Sequence, residues 1–410
     1  MITLAFSFSK ILTILLFVII ICGLIAWHEL GHLLAAKKCN VYCYEYSIGF
    51  GPIIYKNKKR ETHFCIRAIP LGGFVKMAGE EGVEDDEVIK GNNDEEIPSD
   101  RILSNKPLRK KALVLAAGGL MNMLLAVICF YFYVSCNKPY ADSGKTGFVQ
   151  MYYSNEVVIS PNADDTPSML QEKGMETGDR IVAIKTKLST ENNYKEFNNI
   201  KRFTKIQKAL NSKIPTEIGQ VQEIHITFED VSNNNKLVEI DVSRELKKVT
   251  NNDGKEVEEL QKIGLAQKYK VHEYNGLTGI YGTFHFMGYY TAEVGRAFGR
   301  LFTGDFSGLS GLVGIYSTVD DVATDSNGIG FGQTLIHMIY LIGAISFSLG
   351  FFNLIPFPAL DGGRLFFVGL EGIRKKKINP NVEATIHTVG LILLFVLMIV
   401  IKIRDIFNLF

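Results

Sequence analysis

The sequence predicts a multi-pass α-helical membrane protein with about four transmembrane helices, a β-hairpin between the first two and a β-rich extracytoplasmic domain. Three observations carry that expectation. Apolar blocks of about 20 residues or more, enough to cross a bilayer, recur along the 410-residue chain. Basic residues gather in two of the connections between them. A Lys/Asn/Glu-rich middle with strand-like runs separates the second block from the third. The hydrophobic fraction of 47% is ordinary, so it is the distribution of apolar residues that excludes a uniform soluble domain. Lys plus Arg number 44 against 43 Asp plus Glu, a balance that makes nucleic acid an unexpected partner.

Four segments meet the length of a span: roughly 11–36, 112–134, 334–358 and 386–403. The first begins ILTILLFVIIICGLIAW and runs straight into HELGHLLAAKK. It is too long for a signal peptide and lacks a small-residue cleavage site, so a retained helix is expected. Lys37, Lys38, Lys56, Lys58, Lys59, Arg60, Lys106, Arg109, Lys110 and Lys111 lie between the first two spans. Arg364, Arg374, Lys375, Lys376 and Lys377 lie between the last two. Both connections are therefore expected inside, with the long segment 137–333 outside. The expected order is a first helix in 1–36, a cytoplasmic loop with the hairpin in 37–111 and a second helix in 112–136. An outer domain in 137–275 and an amphipathic membrane-surface segment in 276–333 follow. The third helix with its cytoplasmic loop fills 334–385, and the fourth helix and C-terminus fill 386–410.

Between the spans, HFCIRAIPLGGFVKMAGE (63–80) is β-friendly but broken by Pro70 and Gly72–Gly73, as a bent hairpin requires. The acidic stretch 81–100 predicts a mobile loop. Cys39, Cys43 and Cys65 lack a well-spaced fourth ligand, so reduced structural thiols are expected there. In the outer segment, EIHITF (223–228) and LVEIDV (237–242) alternate like strands. GMETGDRIVAI (174–184) resembles the Gly-x-x-x-Gly-Asp-x-Ile stretch of bacterial PDZ domains, and the region 145–248 has the size of one PDZ-like domain, although a generic turn followed by a strand would look similar.

The chemistry concentrates in His28-Glu29-Leu30-Gly31-His32, an H-E-x-x-H pattern. On a helix, positions i and i+4 are only ~40° apart, so both imidazoles can grip one zinc. Glu29 is turned by ~100° from His28, where it can act on a water beside the metal without ligating it. A catalytic zinc site usually takes a third protein ligand. The candidate is Asp361 in NLIPFPALDGGRL (353–365), a carboxylate at the end of an apolar helix broken by Pro356 and Pro358. Asn353 is more open, because satisfying the backbone groups freed by the prolines would by itself account for it.

HELGH, GFGP (49–52), IPLGGFVKMAGE (69–80) and NLIPFPALDGG (353–363) occur in this order, and LSGLVGI (309–315) stands between the last two. Together they resemble the site-2 protease family of intramembrane zinc metalloproteases, particularly the bacterial regulator-of-sigma-E protease branch. That resemblance implies one zinc held by His28, His32 and Asp361, with Glu29 as general base. It implies that 69–77 folds into the membrane and pairs with an extended substrate through Gly72, Gly73, Phe74 and Val75. Asn353 would place the substrate, and the PDZ-like domain would screen access. The implied location is the bacterial inner membrane, with the active site near the cytoplasmic face. Implied substrates are single-pass membrane proteins such as anti-sigma factors, or remnant signal peptides, already cut by a site-1 protease. Gly119 and Leu312 stand where the family commonly has proline, and one PDZ domain stands where some relatives have two. A membrane-anchored PDZ scaffold and a transporter are the rival classes. Neither requires Glu29 between two same-face histidines.

Overall fold

In the computed structural model the chain forms two units, Met1–Phe148 with Glu273–Phe410, and the inserted Val149–His272. Residues 8–58, 60–80, 89–138, 146–151, 155–161, 166–250, 256–301, 312–324, 330–376 and 378–407 are described. Part of the acidic stretch (81–88) and the start of LSGLVGI (309–311) lie outside them.

An unbroken apolar run makes helix α1, Phe8–Lys38, whose negative C-terminal end carries Lys37 and Lys38. The chain turns at Asn40, in the left-handed region with φ 57°. Strands β1, Cys43–Asn57, and β2, His63–Met77, then pair antiparallel. The hairpin therefore uses β1 as its second strand, where the sequence had located the whole hairpin within 63–80. The alternation that would reveal β1 is interrupted by Gly49 (φ 90°) and Gly51 (φ 82°), and the register shifts there. As a result Glu45–Ile48 pairs with Gly73–Lys76 on one side and His63–Ile66 on the other, while Ile53–Asn57 faces Phe64–Arg67. Gly72, with φ 134°, holds a backbone conformation that L side chains rarely adopt, and a Cβ there would also displace the Phe50 ring. Arg67 bonds Glu45 through Nε (3.2 Å) and Nη2 (2.6 Å) across the bend. Burial works to raise the Glu45 pKa, but the Arg67 hydrogen bonds and charge hold it below the ordinary carboxylate range. Cys39, Cys43 and Cys65 are buried, the first two in an apolar cluster with Val41, Tyr46 and Val75.

The stretch after 88 is anchored on the hairpin rather than loose. Tyr42 Oη donates to Glu95, Asn92 Nδ2 donates to Tyr44 O at 2.9 Å, and Ile97 packs with Tyr42. Its few apolar and amide groups find partners that composition alone does not show.

Helix α2, Leu108–Cys136, starts directly after Pro107, so Arg109–Lys111 lie in its first turn. Small residues bring it against α1: a Cβ on Gly31 would stand 2.5 Å from Ala117 O.

The inserted unit carries β3 (Gly147–Met151, its first two residues in the other unit), β4 (Val157–Ile159), α3 (Met169–Glu172), β5 (Arg180–Leu188), β6 (Lys195–Phe197) and α4 (Phe203–Leu210). After these come β7 (Val221–Asp230), β8 (Lys236–Thr250), β9 (Glu256–Leu260), β10 (Leu265–Gln267) and β11 (Tyr269–Glu273, its last residue in the other unit). Five strands form one sheet in the order β6-β5-β7-β8-β9. Alternate residues Ile224, Ile226 and Phe228 of β7 pack with Phe203 and Ile206 of α4. In the Gly-Asp turn, Asp179 is buried and accepts from the Glu176 and Val231 amides.

The chain returns through α5, Gly279–Leu301, and α6, Leu312–Thr324. Phe286 of α5 is buried in an aromatic cluster with Phe130, Phe148 and Phe347, while Ile280, Tyr281 and Phe284 are exposed. Helix α7, Phe331–Leu354, ends four residues before the expected 358. Ile355 precedes Pro356 and is forced to an extended conformation (φ −69°, ψ 140°). Helices α8, Asp361–Arg374, and α9, Pro380–Phe407, complete the fold. Among the described residues three helices are long and apolar enough to cross a membrane, Lys10–Lys38, Leu108–Cys136 and Phe331–Leu354, and Asn381–Val396 is a shorter apolar stretch.

Candidate active site

The H-E-x-x-H spacing does what helical geometry requires: His28 and His32 lie on the face of α1 that meets α2. Their Nε2 atoms are 3.2 Å apart. Asp361, the first residue of α8, brings Oδ2 to 3.1 Å from His28 Nε2 and 3.2 Å from His32 Nε2. Residues 333 positions apart thus present three donor atoms at one point. Both histidines are buried and Asp361 half-buried.

The triangle fits a zinc ion. Three ligands at ~2.0–2.1 Å and tetrahedral angles stand roughly 3.3–3.4 Å apart, close to the edges of 3.1–3.2 Å. The far side of each imidazole is also prepared. His32 Nδ1 donates to Val114 O at 2.8 Å, which leaves Nε2 with its lone pair for a metal. His28 Nδ1 lies 3.1 Å from the Asn122 side-chain amide. Asn122 Oδ1 is buried without a hydrogen-bond partner. Turning that amide end for end lets Oδ1 accept from His28 Nδ1–H and fixes the same tautomer. Gly118 completes the cradle, since a Cβ there would stand 2.7 Å from His28 Nε2 and closer still to His32 Nε2.

A cavity of about 380 Å³ opens on the three donors. Glu29 lines it beside His28 and His32, and Phe74, Val75 and Met77 of β2 form one wall. A Cβ on Gly73 would stand 3.2 Å from Glu29 Cγ, so the hairpin lies directly against the H-E-x-x-H helix. Glu80 and Arg364 pair at 2.6 Å across the cavity, joining the end of the hairpin to α8.

Backbone direction along the strand matters here. Ala78 N–H donates to Tyr42 O, toward β1, whereas Met77 N–H points at Glu80 Oε2, 3.5 Å away. Successive strand residues alternate in direction, so Gly73 and Val75 share the outward sense of Met77. Among the described residues no strand pairs with that edge.

Of the residues picked out in the sequence, His28, Glu29, His32, Asp361, Phe74 and Val75 meet at this cavity. Gly72 and Gly73 precede Phe74 in β2 and are not among the lining residues. Asn353 is half-buried in the last turn of α7 and is not among the lining residues. Sequence reasoning missed Val114, Gly118, Asn122 and His387. Asn122 and His387 carry a signal that could have found them, a polar side chain inside an apolar helix.

Comparison with known proteins agrees with this chemistry. Residues 16–397 match the model of Peptidase family M50. The regulator of sigma-W protease RasP of Bacillus subtilis is 28% identical, over 97% of this chain and 99% of its own length. The zinc metalloprotease RasP of Geobacillus kaustophilus is 27% identical over 96% of this chain and 97% of its own. A putative zinc metalloprotease of Staphylococcus aureus is 29% identical over 97% and 99%. The first of these names refers to sigma-W, not to the sigma-E of the expected branch.

Proposed function

The chain belongs to peptidase family M50, and from that membership we propose that it cuts within transmembrane segments of single-pass membrane proteins. It is a membrane protein and a zinc metalloprotease of the site-2 type. Anti-sigma factors and remnant signal peptides, already shortened by a site-1 protease, are the substrates we assign. A place in a sigma-regulating branch is supported by the nearly end-to-end match to a regulator of sigma-W protease. The positive connections support four spans in a bacterial inner membrane, with 137–333 outside and its PDZ-like part screening substrates. The observation that carries the reading is the convergence of His28, His32 and Asp361 beside an open strand edge.

We assign His28, His32 and Asp361 as the ligands of one zinc per chain. Bound zinc supplies a Lewis acid that polarises the scissile carbonyl and acidifies a water. Glu29 takes the proton of the attacking water on its carboxylate and returns it to the departing amine nitrogen. The imidazoles keep their orientation through Val114 O and Asn122. A substrate helix hides its peptide groups in its own hydrogen bonds. The outward backbone groups of Gly73 and Val75 offer an unwound segment a strand partner, which offsets part of the unwinding. Asn353 is carried from the family resemblance as a residue that places the substrate.

Proline scanning tests this. Val75→Pro removes an outward donor and Lys76→Pro an inward one. Val75→Pro should keep zinc and fold, cleave helical substrates poorly, and spare substrates with Gly or Pro near the cut. Lys76→Pro should instead weaken β1–β2 pairing itself. Equal cleavage of helical and pre-broken substrates by a stable Val75→Pro protein would refute the strand-pairing mechanism.

A further inference from the structure

The turn that delivers Asp361 is held from outside. Ala359, two residues before it, has φ 75°. Among the described residues the other positive-φ non-glycine positions are Asn40, Asp94, Asn199, Asn234, Asn235 and Lys375, mostly of the type that tolerates this region. An alanine there stores strain, and such strain persists where the surroundings over-determine the backbone. The surroundings are on α9. His387 Nδ1 accepts the Ala359 N–H at 2.9 Å. One turn further, Gly390 is pressed on the same loop, since a Cβ there would stand 2.7 Å from Pro358 O. A Cβ on Gly363 would lie 3.2 Å from His387 Cε1, so the ring also abuts the start of α8. An imidazole that accepts at Nδ1 carries its proton on Nε2. That atom has no hydrogen-bond partner and is 4.0 Å from Glu383 Oε1.

We infer that His387 is a positioning residue for the metal site: by accepting the Ala359 amide it fixes the left-handed turn that aims Asp361 at His28 and His32. The inference rests on Asp361 being a zinc ligand. It requires an acceptor at the position of Nδ1, not merely a ring of the right size. Asparagine supplies an acceptor there, glutamine supplies one at the position of Nε2, and leucine supplies none.

The test is zinc affinity of the purified full-length chain, by competition with a chelator, together with the melting temperature of the metal-free form. His387→Asn should bind zinc within about 3-fold of the parent. His387→Leu and His387→Gln should bind about 10- to 100-fold more weakly, as loss of an orienting partner does, with unchanged metal-free melting. Should the leucine variant fold poorly, the Asn and Gln pair decides alone. Parent-like affinity in His387→Gln, or affinity in His387→Asn as weak as in His387→Gln, overturns the inference. Asp361→Ala is measured alongside. Zinc retained there would overturn the ligand assignment itself, whereas zinc lost there but kept in the His387 variants would overturn only the role of His387.

Discussion

Replacing Gly118 by alanine adds one methyl group to α2 and should empty the metal site. Helix propensity favours the change by up to ~1 kcal/mol, so the helix itself has no reason to fail. The new Cβ would stand 2.7 Å from His28 Nε2, against an ordinary contact that begins near 3.4 Å. His28 must therefore retreat by roughly 0.7 Å and His32 by more, yet metal–ligand distances tolerate only about ±0.2 Å. Neither ring is free to adjust, because each is held at its far nitrogen by α2, at Val114 O and at Asn122. Losing one good ligand direction is expected to weaken zinc by at least ~100-fold, or about 2.7 kcal/mol. Chelator competition on purified protein measures this, with proteolysis of a membrane-embedded substrate as a second readout. Gly23→Ala is the control, since nothing lies within 4 Å of a Cβ at that position of α1. Parent-like zinc affinity in Gly118→Ala would show that the imidazoles do not depend on this close approach, and the cradle argument would fall.

The remaining expectations concern the ligands, the base and the topology. His28→Ala, His32→Ala and Asp361→Ala should each lose zinc by metal analysis, and full occupancy in any of them would remove that residue from the ligand set. Glu29→Gln should retain zinc but lose at least ~10²-fold in cleavage rate, as removal of a general base does; near-parent activity would move the base elsewhere. In a cysteine-free background, a thiol at Ser189 should react with an impermeant reagent in intact cells and one at Asn57 should not. The reverse pattern would overturn the orientation.

The two halves of the site were unequally legible. His28 and His32 could be paired from sequence because their spacing is local and the helix period is fixed. Asp361 lies far along the chain, so its part rested on a carboxylate at a proline-broken apolar helix and on the family resemblance of NLIPFPALDGG. The β1 strand was invisible because alternation is the signal for a strand, and Gly49 and Gly51 break it where the register shifts. Val114 was out of reach for a different reason: it acts through a backbone carbonyl, which no residue type encodes. Gly118, which sets how closely α2 meets the imidazoles, looks like an ordinary small residue of a packed membrane helix.

Gly119, the next residue of α2, contributes from the other side. Helix α2 runs continuously through it, and its backbone meets α7 closely, a Cβ on Gly350 falling 2.7 Å from Gly119 O. Adjacent glycines thus face opposite neighbours, Gly118 the imidazoles of α1 and Gly119 the Gly350–Leu354 stretch of α7. Helix α7 leads through Ile355–Leu360 to Asp361. One turn of α2 therefore sets the depth of the two histidines and the seat of the segment that delivers the carboxylate. A side chain at either glycine would push a ligand-bearing element away from the donors' meeting point. Two buried imidazoles in apolar surroundings tolerate little such displacement, since each polar nitrogen deprived of its partner costs about 1–3 kcal/mol. The same accounting explains why the site is assembled from α1, α2, the hairpin, the α8 start and α9 rather than from one element. In a membrane every polar atom of the site needs a partner of its own, and no single helix face can supply them all.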